Sequence, residues 1–373
     1  MSAKGAVQET GSRFFRQNII LATLSGKAVE ISDIRPKDMN PGVRGYEGNF
    51  LKLMARFTNG CRIEINDTGT LVKYKPGVIV GGQFTHDCSC ERGIGYWLEA
   101  LICLAPFAKQ PTQVILTGVT NKEIDIGVDI VRTVTMPLLQ KFGVDASLKI
   151  LRRGAPPLGG GRVSFVCSPV RKLQAIELVE EGKIKRIRGL AYSARISPDL
   201  ANRMVHSAKG LLLKLLPDIF ITSDHFRGDE AGLSPGFGIT LVAESTNKGD
   251  LFLAEEVVPE PEQMTKDQLT PEDMGDRAAR LLLEQIMRGG CVDGQHQAIT
   301  LLFMALGPEQ LSRVCMGQLT EYAENMQRLL EVYFGVTFGV YKQKRAGVPS
   351  SVPQRVVVSC IGQTLVNLSK RSA

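Results

Sequence analysis

The chain carries four histidines, His86, His206, His225 and His296. None stands three or four residues from another, the spacing that puts two imidazoles on one helix face for a metal, and no G-x-S-x-G elbow offers an activated serine. The segment "HDCSC", His86 to Cys90, sets three soft ligands at alternate positions. Alternation suits one face of a strand, and a structural zinc ion needs a fourth ligand. Asp125 and Asp129 lie one helical turn apart, where they could hold a cation or simply face solvent. The other acids are dispersed, so no two-metal nuclease set can be assigned. The stretch "RRGAPPLGGGRVSF", Arg152 to Phe165, crowds glycines and arginines as a phosphate-cradling loop does. Such a loop must lead into a helix N-terminus, whose free N–H groups meet the anion. Here a strand pattern lies on each side, so the stretch reads as a wide hairpin turn. "GFGITL" and "GIGYWL" lack the third glycine of the dinucleotide fingerprint, and "LATLSGKAV" lacks the first glycine of a P-loop.

The elements around these residues recur. "KAVEISDI" (Lys27 to Ile34) reads as a strand, "PGVRGYEGNFLKLMARF" (Pro41 to Phe57) as a helix, and "CRIEIN" with "TLVKY" as a hairpin about the turn "DTG". The same order returns in "QVILTGV" (Gln113 to Val119), a helix from Asp125 to Phe142 closed by Gly143, and the hairpin "ASLKILRR" and "RVSFVC". A third unit is expected to open at "TPEDMGDRAARLLLEQIMRGG", where Thr270 caps, Pro271 takes the first helical position, and Met274, Ala278, Leu281, Leu282 and Ile286 form a stripe. Between the second and third units, "KIKRIR" and "RGLAYSARI" read as strand, and Ser197-Pro198 opens a helix striped by Leu200, Met204, Ala208, Leu211, Leu212 and Leu215. "DIFITSD", "GFGITLVAES" and "LFLAEEVV" follow as strands, then the acidic stretch "EEVVPEPEQMTKDQ" as an exit linker. The expected fold is therefore α/β (α+β): three repeated strand-helix-hairpin units in one large domain, residues 1–182 and 264–373, with a smaller inserted α/β domain at 183–263.

Composition narrows the function classes. No apolar run approaches the roughly 20 residues that span a bilayer, and the first residues lack the apolar core of a secretory signal, so a soluble intracellular protein without membrane contact is expected. Eight cysteines scattered through apolar segments suit reduced thiols of a cytosolic or nuclear protein. A net charge of +7 favours an acidic partner, RNA being the commonest. The densest basic run, Lys183 to Arg188, is either a solvated sheet face or an RNA contact.

Longer segments carry a resemblance. "LATLSGKAVEISDIRPKDMNPGVRGYE", "YKPGVIVGG", "LLQKFGVDASLKILRRGAPPLGGGRVSF" and "IKRIRGLAYSARISPDLANRM" resemble, in order and across essentially the whole chain, the RNA 3′-terminal phosphate cyclase superfamily. "DHFRGDEAGLSPGFGITLVAES" and "RGGCVDGQHQ" are similar to its eukaryotic cyclase-like branch, which acts in the nucleolus in small-subunit ribosome assembly. The resemblance implies three α/β units with a smaller insertion between the second and third. It also implies where enzyme parts belong. Cyclases activate an RNA end with ATP through a histidine that becomes adenylylated; "LTEYAENMQRLLEVYF" resembles that stretch, with Tyr322 about where the histidine belongs. A phenol with a pKa near 10 replaces imidazole poorly at neutral pH. "ETGSR", Glu9 to Arg13, resembles the family's "EGGGQ" element with two glycines and the glutamine exchanged.

No cofactor, metal site or catalytic residue is assigned. The resemblance implies an assembly factor of the small-subunit processome, acting in pre-rRNA processing toward 18S rRNA, with a large nucleolar GTPase and the pre-rRNA ribonucleoprotein as partners. The alternative is an endonuclease that cuts pre-rRNA with an unrecognised set of side chains. In either class Arg16, Arg44 and Arg153, in segments resembling the cyclase cleft, and Lys185, Arg186 and Arg188 of the basic strand are the candidate RNA contacts.

Overall fold

Short β-prone stretches separated by apolar runs of ten or so residues set up one connection pattern three times. In this computed structural model, which describes residues 5–246, 252–259, 270–343 and 354–368, the first unit runs β1 (Val7–Thr10), helix α1 (Phe15–Ser25), β2 (Val29–Ser32), helix α2 (Gly45–Phe57), a two-residue β3 (Thr58–Asn59), β4 (Arg62–Ile65) and β5 (Val72–Lys75). Its sheet has the order β1-β2-β5-β4, with β1 and β2 parallel and the rest antiparallel. A short β6 (Val78–Ile79) pairs with β3 and leads into the second unit. There β7 (Gly82–Asp87), helix α3 (Gly95–Leu104), β8 (Thr112–Gly118), helix α4, β9 (Ala146–Arg152) and β10 (Gly161–Cys167) give the order β7-β8-β10-β9. Helix α4 is one continuous rod: α-helical at Val128–Ile130, π-wound at Val131–Thr135 and α-helical again at Met136–Lys141.

The third sheet, β11-β16-β18-β17, repeats the order and strand directions of the first two. The insertion falls after its first strand, β11 (Glu177–Leu178). It comprises β12 (Ile184–Ala194), helix α5 (Asp199–Leu212), β13 (Ile219–Phe226), β14 (Gly236–Ser245), β15 (Phe252–Val257) and helix α6 (Pro271–Arg288), in the sheet order β13-β12-β14-β15. The third unit then resumes with helix α7 (Gln297–Leu306), β16 (Leu311–Met316), helix α8 (Glu321–Phe334), β17 (Gly339–Gln343) and β18 (Arg355–Ile361). Of the stretch read as an exit linker, 255–257 belong to β15 and 260–268 lie outside the described residues.

Three expectations need correction. The strand-helix-hairpin unit is only the latter part of a strand-helix-strand-helix-hairpin unit. Each leading helix, α1, α3 and α7, is buried on nearly every side, and all ten residues of α7 are buried. Helices α3 and α7 are apolar nearly all round, and α1 buries the polar Gln17, Asn18 and Thr23 among its apolar residues, so none shows a 3.6-residue stripe. Helix α6 has the expected Thr270 cap, whose hydroxyl accepts from the Asp273 N–H at 3.2 Å. It does not open the third unit, however: its Met274, Ala278 and Leu282 join Met204, Ala208 and Leu212 of α5 against Ile187, Ile239 and Leu241 of the inserted sheet. Helix α2 also starts at Gly45 rather than Pro41, because the Glu47 carboxylate turns back to accept the Arg44 N–H at 2.8 Å and fixes the first turn there.

One hydrophobic core, with Trp97, Phe50, Phe142, Phe165, Phe303 and Tyr333 among its largest members, joins all three units. The inserted sheet has its own core on the α5–α6 side. On its other face, Val242 and Ala254 pack against Ile130 and Val134 of α4, which docks the insertion on the second unit.

Candidate functional site

The glycine-rich stretch is the β9–β10 hairpin turn that its flanking strands required. Gly159 and Gly160 take φ of 64° and 77°, a region other residues rarely adopt. Its polar groups are already engaged with the insertion: the Arg153 N–H donates to the Glu230 carbonyl at 3.1 Å, and the Leu233 N–H donates to the Gly159 carbonyl at 2.9 Å. The stretch is a seam between the second unit and the insertion.

Arg153 is the centre of that seam. It is only 2% exposed, and its guanidinium grips both oxygens of Asp129, with the Arg153 Nη2–Asp129 Oδ1 contact at 2.8 Å. Tyr192 of β12 and Phe226 of β13 lie against it, 4.3 and 5.4 Å from ring centre to guanidinium carbon. Burial pushes the Asp129 carboxyl up, but Arg153 overrides it and holds the pKa below the usual range. Arg153 is therefore a buried structural cation, and its assignment as an RNA contact is withdrawn. Asp129 is not on a solvated face, and neither is Asp125, which takes a bidentate grip from Arg92 and accepts the Gly93 N–H at 2.7 Å.

A cleft of about 620 Å³ opens where all three units and the end of β15 meet. The turn before α1, the starts of α2, α3 and α4, and Tyr322 of α8 supply its walls. The cations Arg13, Arg16, Arg35, Arg92 and Lys122 line it, and so do the carboxylates Glu47, Glu99, Glu123, Asp125 and Glu256. Most of these charges are paired with one another. Arg35 holds Glu47 through both oxygens at 2.6 and 2.8 Å, Arg92 holds Asp125, and Arg13 reaches Glu321 outside the cleft at 2.6 Å.

Arg16, one of the expected RNA contacts, lines this cleft but is pinned: Nη1 donates to the Tyr96 carbonyl at 3.0 Å, Nη2 donates to Glu99, and the Tyr96 ring lies 4.5 Å away. Tyr322 lies beside it. Its hydroxyl donates to Glu99 Oε1 at 3.0 Å and takes a contact from Gln17 Nε2, while its ring stacks on Phe14 at 6.0 Å. Burial, then the Glu99 charge, push the phenol well above its ordinary pKa. At neutral pH it is a hydrogen-bond donor rather than a nucleophile.

Glu256 is the cleft residue that spacing concealed. It is the penultimate residue of β15, accepts from Asn121 Nδ2 at 2.6 Å and Thr240 Oγ1 at 2.8 Å, and lies so near Gly127 that a Cβ there would come within 1.7 Å of its Oε2. Burial, then the neighbouring Asp129 charge, raise its carboxyl to about 7. Only the pairing of β14 with β15 sets it beside Asp129, so nothing local in the sequence marks it.

The remaining expected residues lie apart. Arg44 is at the surface, bonded to Asp38 and the Asn40 carbonyl, both at 2.8 Å. Lys185 is exposed at a register shift in β12, whereas Arg186 and Arg188 share the face that carries Glu244 and Val242 of β14. His86 of β7 meets Asn49 at 2.7 Å, and His296 bridges Asp293 and Thr135 at 2.7 and 2.8 Å. Among the described residues, no group of three or more His, Cys, Asp or Glu side chains is arranged to hold a metal ion. No helix among them is long and apolar enough to cross a membrane.

Three sheets of one topology, a four-stranded insertion after the first strand of the third, and a charged cleft at their meeting point define a cyclase-like α+β scaffold. The chain belongs to the RNA 3′-terminal phosphate cyclase family, whose model matches residues 7–340. It is 49% identical to a probable RNA 3′-terminal phosphate cyclase-like protein of Dictyostelium discoideum, over 96% of this chain and 98% of the relative. It is 49% identical to the RNA 3′-terminal phosphate cyclase-like protein of Homo sapiens, over 96% of each chain. An rRNA processing protein of Schizosaccharomyces pombe is 43% identical over 97% of each.

Proposed function

We propose that this chain is a non-catalytic rRNA-processing factor on a cyclase scaffold, working in the nucleolus within the small-subunit processome toward 18S rRNA. The observation that carries the reading is that Tyr322, which the resemblance puts about where the family's histidine belongs, is a buried phenol donating to Glu99 rather than a free imidazole. The neighbouring guanidiniums, each already facing a carboxylate, offer a nucleotide's phosphates little uncompensated charge. The fission-yeast relative's name supports the rRNA assignment. A large nucleolar GTPase and the pre-rRNA particle are the proposed partners. The test is depletion of the protein followed by measurement of rRNA precursors. Accumulation of precursors to the small-subunit rRNA with unaffected large-subunit rRNA supports the reading, and unchanged precursor levels refute it.

One observation favours the endonuclease alternative: Glu256, with its carboxyl near 7 on the cleft wall, has the poise of a general acid or base. Site-specific cutting of a pre-rRNA transcript that is lost in Glu256→Gln would establish it. Absence of cutting by the purified chain would remove it.

A further inference from the structure

The inserted sheet is covered on one face by α5 and α6, and on the β14–β15 half of the other face by α4. Among the described residues, the stretch of that second face around Arg188, Phe220, Thr222 and Asp224 is uncovered, whereas Tyr192 and Phe226 further along it pack on Arg153. Residues paired in register point to the same side of a sheet, so the pairing Phe220–Arg188–Val242 and the pairing Arg186–Glu244–Phe252 form adjacent rows on it. Phe220 is 59% exposed, unusual for a phenylalanine on an edge strand. Arg188 also lines, with Arg132 and Thr133 of α4 and Thr222 of β13, a groove of about 410 Å³ between the sheet and that helix.

We propose that this uncovered stretch is a binding site for single-stranded RNA, with a base stacked on Phe220 and the adjoining phosphates held by Arg186, Arg188 and Arg132. The proposal rests on the reading that the chain works on RNA and gives that RNA a place outside the cleft. Its chemistry is that of sheet surfaces that bind unpaired strands: an exposed aromatic beside cations on a flat face, which an unstacked base can reach and a duplex cannot. The cations already have carboxylate partners, Arg188 with Asp218, Arg186 with Glu244 and Arg132 with Asp129. Those guanidiniums are 32–44% exposed, more than Arg16, Arg35 and Arg92 of the cleft, and the Arg188–Asp218 pair, exposed on both sides, contributes little to hold Arg188 in place. Asp129 keeps Arg153 when Arg132 leaves it. Asp224, also in the groove, gives it an acidic end that the strand would avoid.

The test uses the full chain and a fluorescein-labelled 12-nucleotide oligouridylate, with an RNA duplex of equal length as competitor, read by anisotropy over a salt titration. Wild-type protein should bind the single strand in preference to the duplex. Phe220→Ala should weaken binding about fivefold to a hundredfold with the salt slope unchanged, since it removes stacking and no charge. The double variant Arg186→Ala, Arg188→Ala should weaken it and flatten the slope by about two, one per lost phosphate contact. Arg280→Ala, on the far side of α6, should bind as wild type, and thermal unfolding of each variant separates lost binding from lost fold. Equal binding by wild type, Phe220→Ala and the double variant overturns the proposal. So does unchanged RNA affinity combined with loss of a protein partner in Phe220→Ala, which would assign the face to protein docking. In both cases the precursor phenotype on depletion stands or falls independently.

Discussion

Replacing Arg153 with methionine separates a buried structural cation from an RNA contact. Methionine keeps part of the packing against Tyr192 and Phe226 but leaves Asp129 inside the seam with two weaker partners, Asn121 and Arg132, each at 3.2 Å. Breaking one side of a buried ion pair costs about 3–5 kcal/mol, because the remaining charge is left uncompensated. The lost cation–π contacts add about 0.5–2 kcal/mol, and Arg132, which can swing inward, offsets part of the total. We expect a loss of about 3–5 kcal/mol at pH 8. The loss should shrink toward pH 5: without Arg153 the Asp129 carboxyl rises above its unfolded value near 3.9, so the variant regains stability as falling pH protonates it. The chain has a single tryptophan, Trp97, and it is fully buried in the core of the three units. Urea unfolding followed by Trp97 fluorescence and by far-ultraviolet circular dichroism therefore reports the units and the whole chain separately. In Arg153→Met the dichroism change should come first, as the insertion undocks. A variant within about 1 kcal/mol of wild type, with coincident transitions and a clear loss of RNA affinity, would refute the structural role.

Glu256→Gln should flatten the pH dependence of stability. A carboxyl raised to about 7 in the fold and near 4.3 when unfolded stabilises fully below the lower value, and that contribution disappears as pH rises through 7. Chemical denaturation at pH 4 and pH 8 should show a gain of up to about 3 kcal/mol for the variant at pH 8 and almost none at pH 4. Gly127→Ala drives a methyl group into Glu256 Oε2 and should cost about 1–3 kcal/mol in the same assay, with most of it relieved when Glu256 is also shortened to alanine. Tyr322→Phe leaves Glu99 and Gln17 short of a partner and should lower stability by about 1–2 kcal/mol.

The parts of this fold legible in the sequence are those with a period or a punctuation mark. The β9–β10 hairpin follows from strand patterns flanking glycines, α6 from Thr270, Pro271 and its stripe, and β12 from the alternation of "KIKRIR". Helices α1, α3 and α7 left no stripe because neighbours surround them, and the stripe of α6 carries no label for the sheet it packs on. For the cleft, Tyr322 was reached through resemblance alone. Asp125 and Asp129 were visible as a pair one turn apart, but their partners Arg92 and Arg153 come from distant segments that only tertiary packing brings near. Phe220 and Arg188 became neighbours through a parallel pairing that no local pattern encodes.

The central claim, a cyclase scaffold without cyclase chemistry, is tested most directly by incubating the full chain with magnesium, ATP labelled at the α-phosphate and RNA ending in a 3′-phosphate. The reading out is protein-bound label on a denaturing gel together with terminal cyclic phosphate. Neither should form with wild type, because the Tyr322 phenol is held as a donor to Glu99. Label that stays with the wild-type chain, accompanies a cyclised RNA end and disappears in Tyr322→Phe would contradict the account.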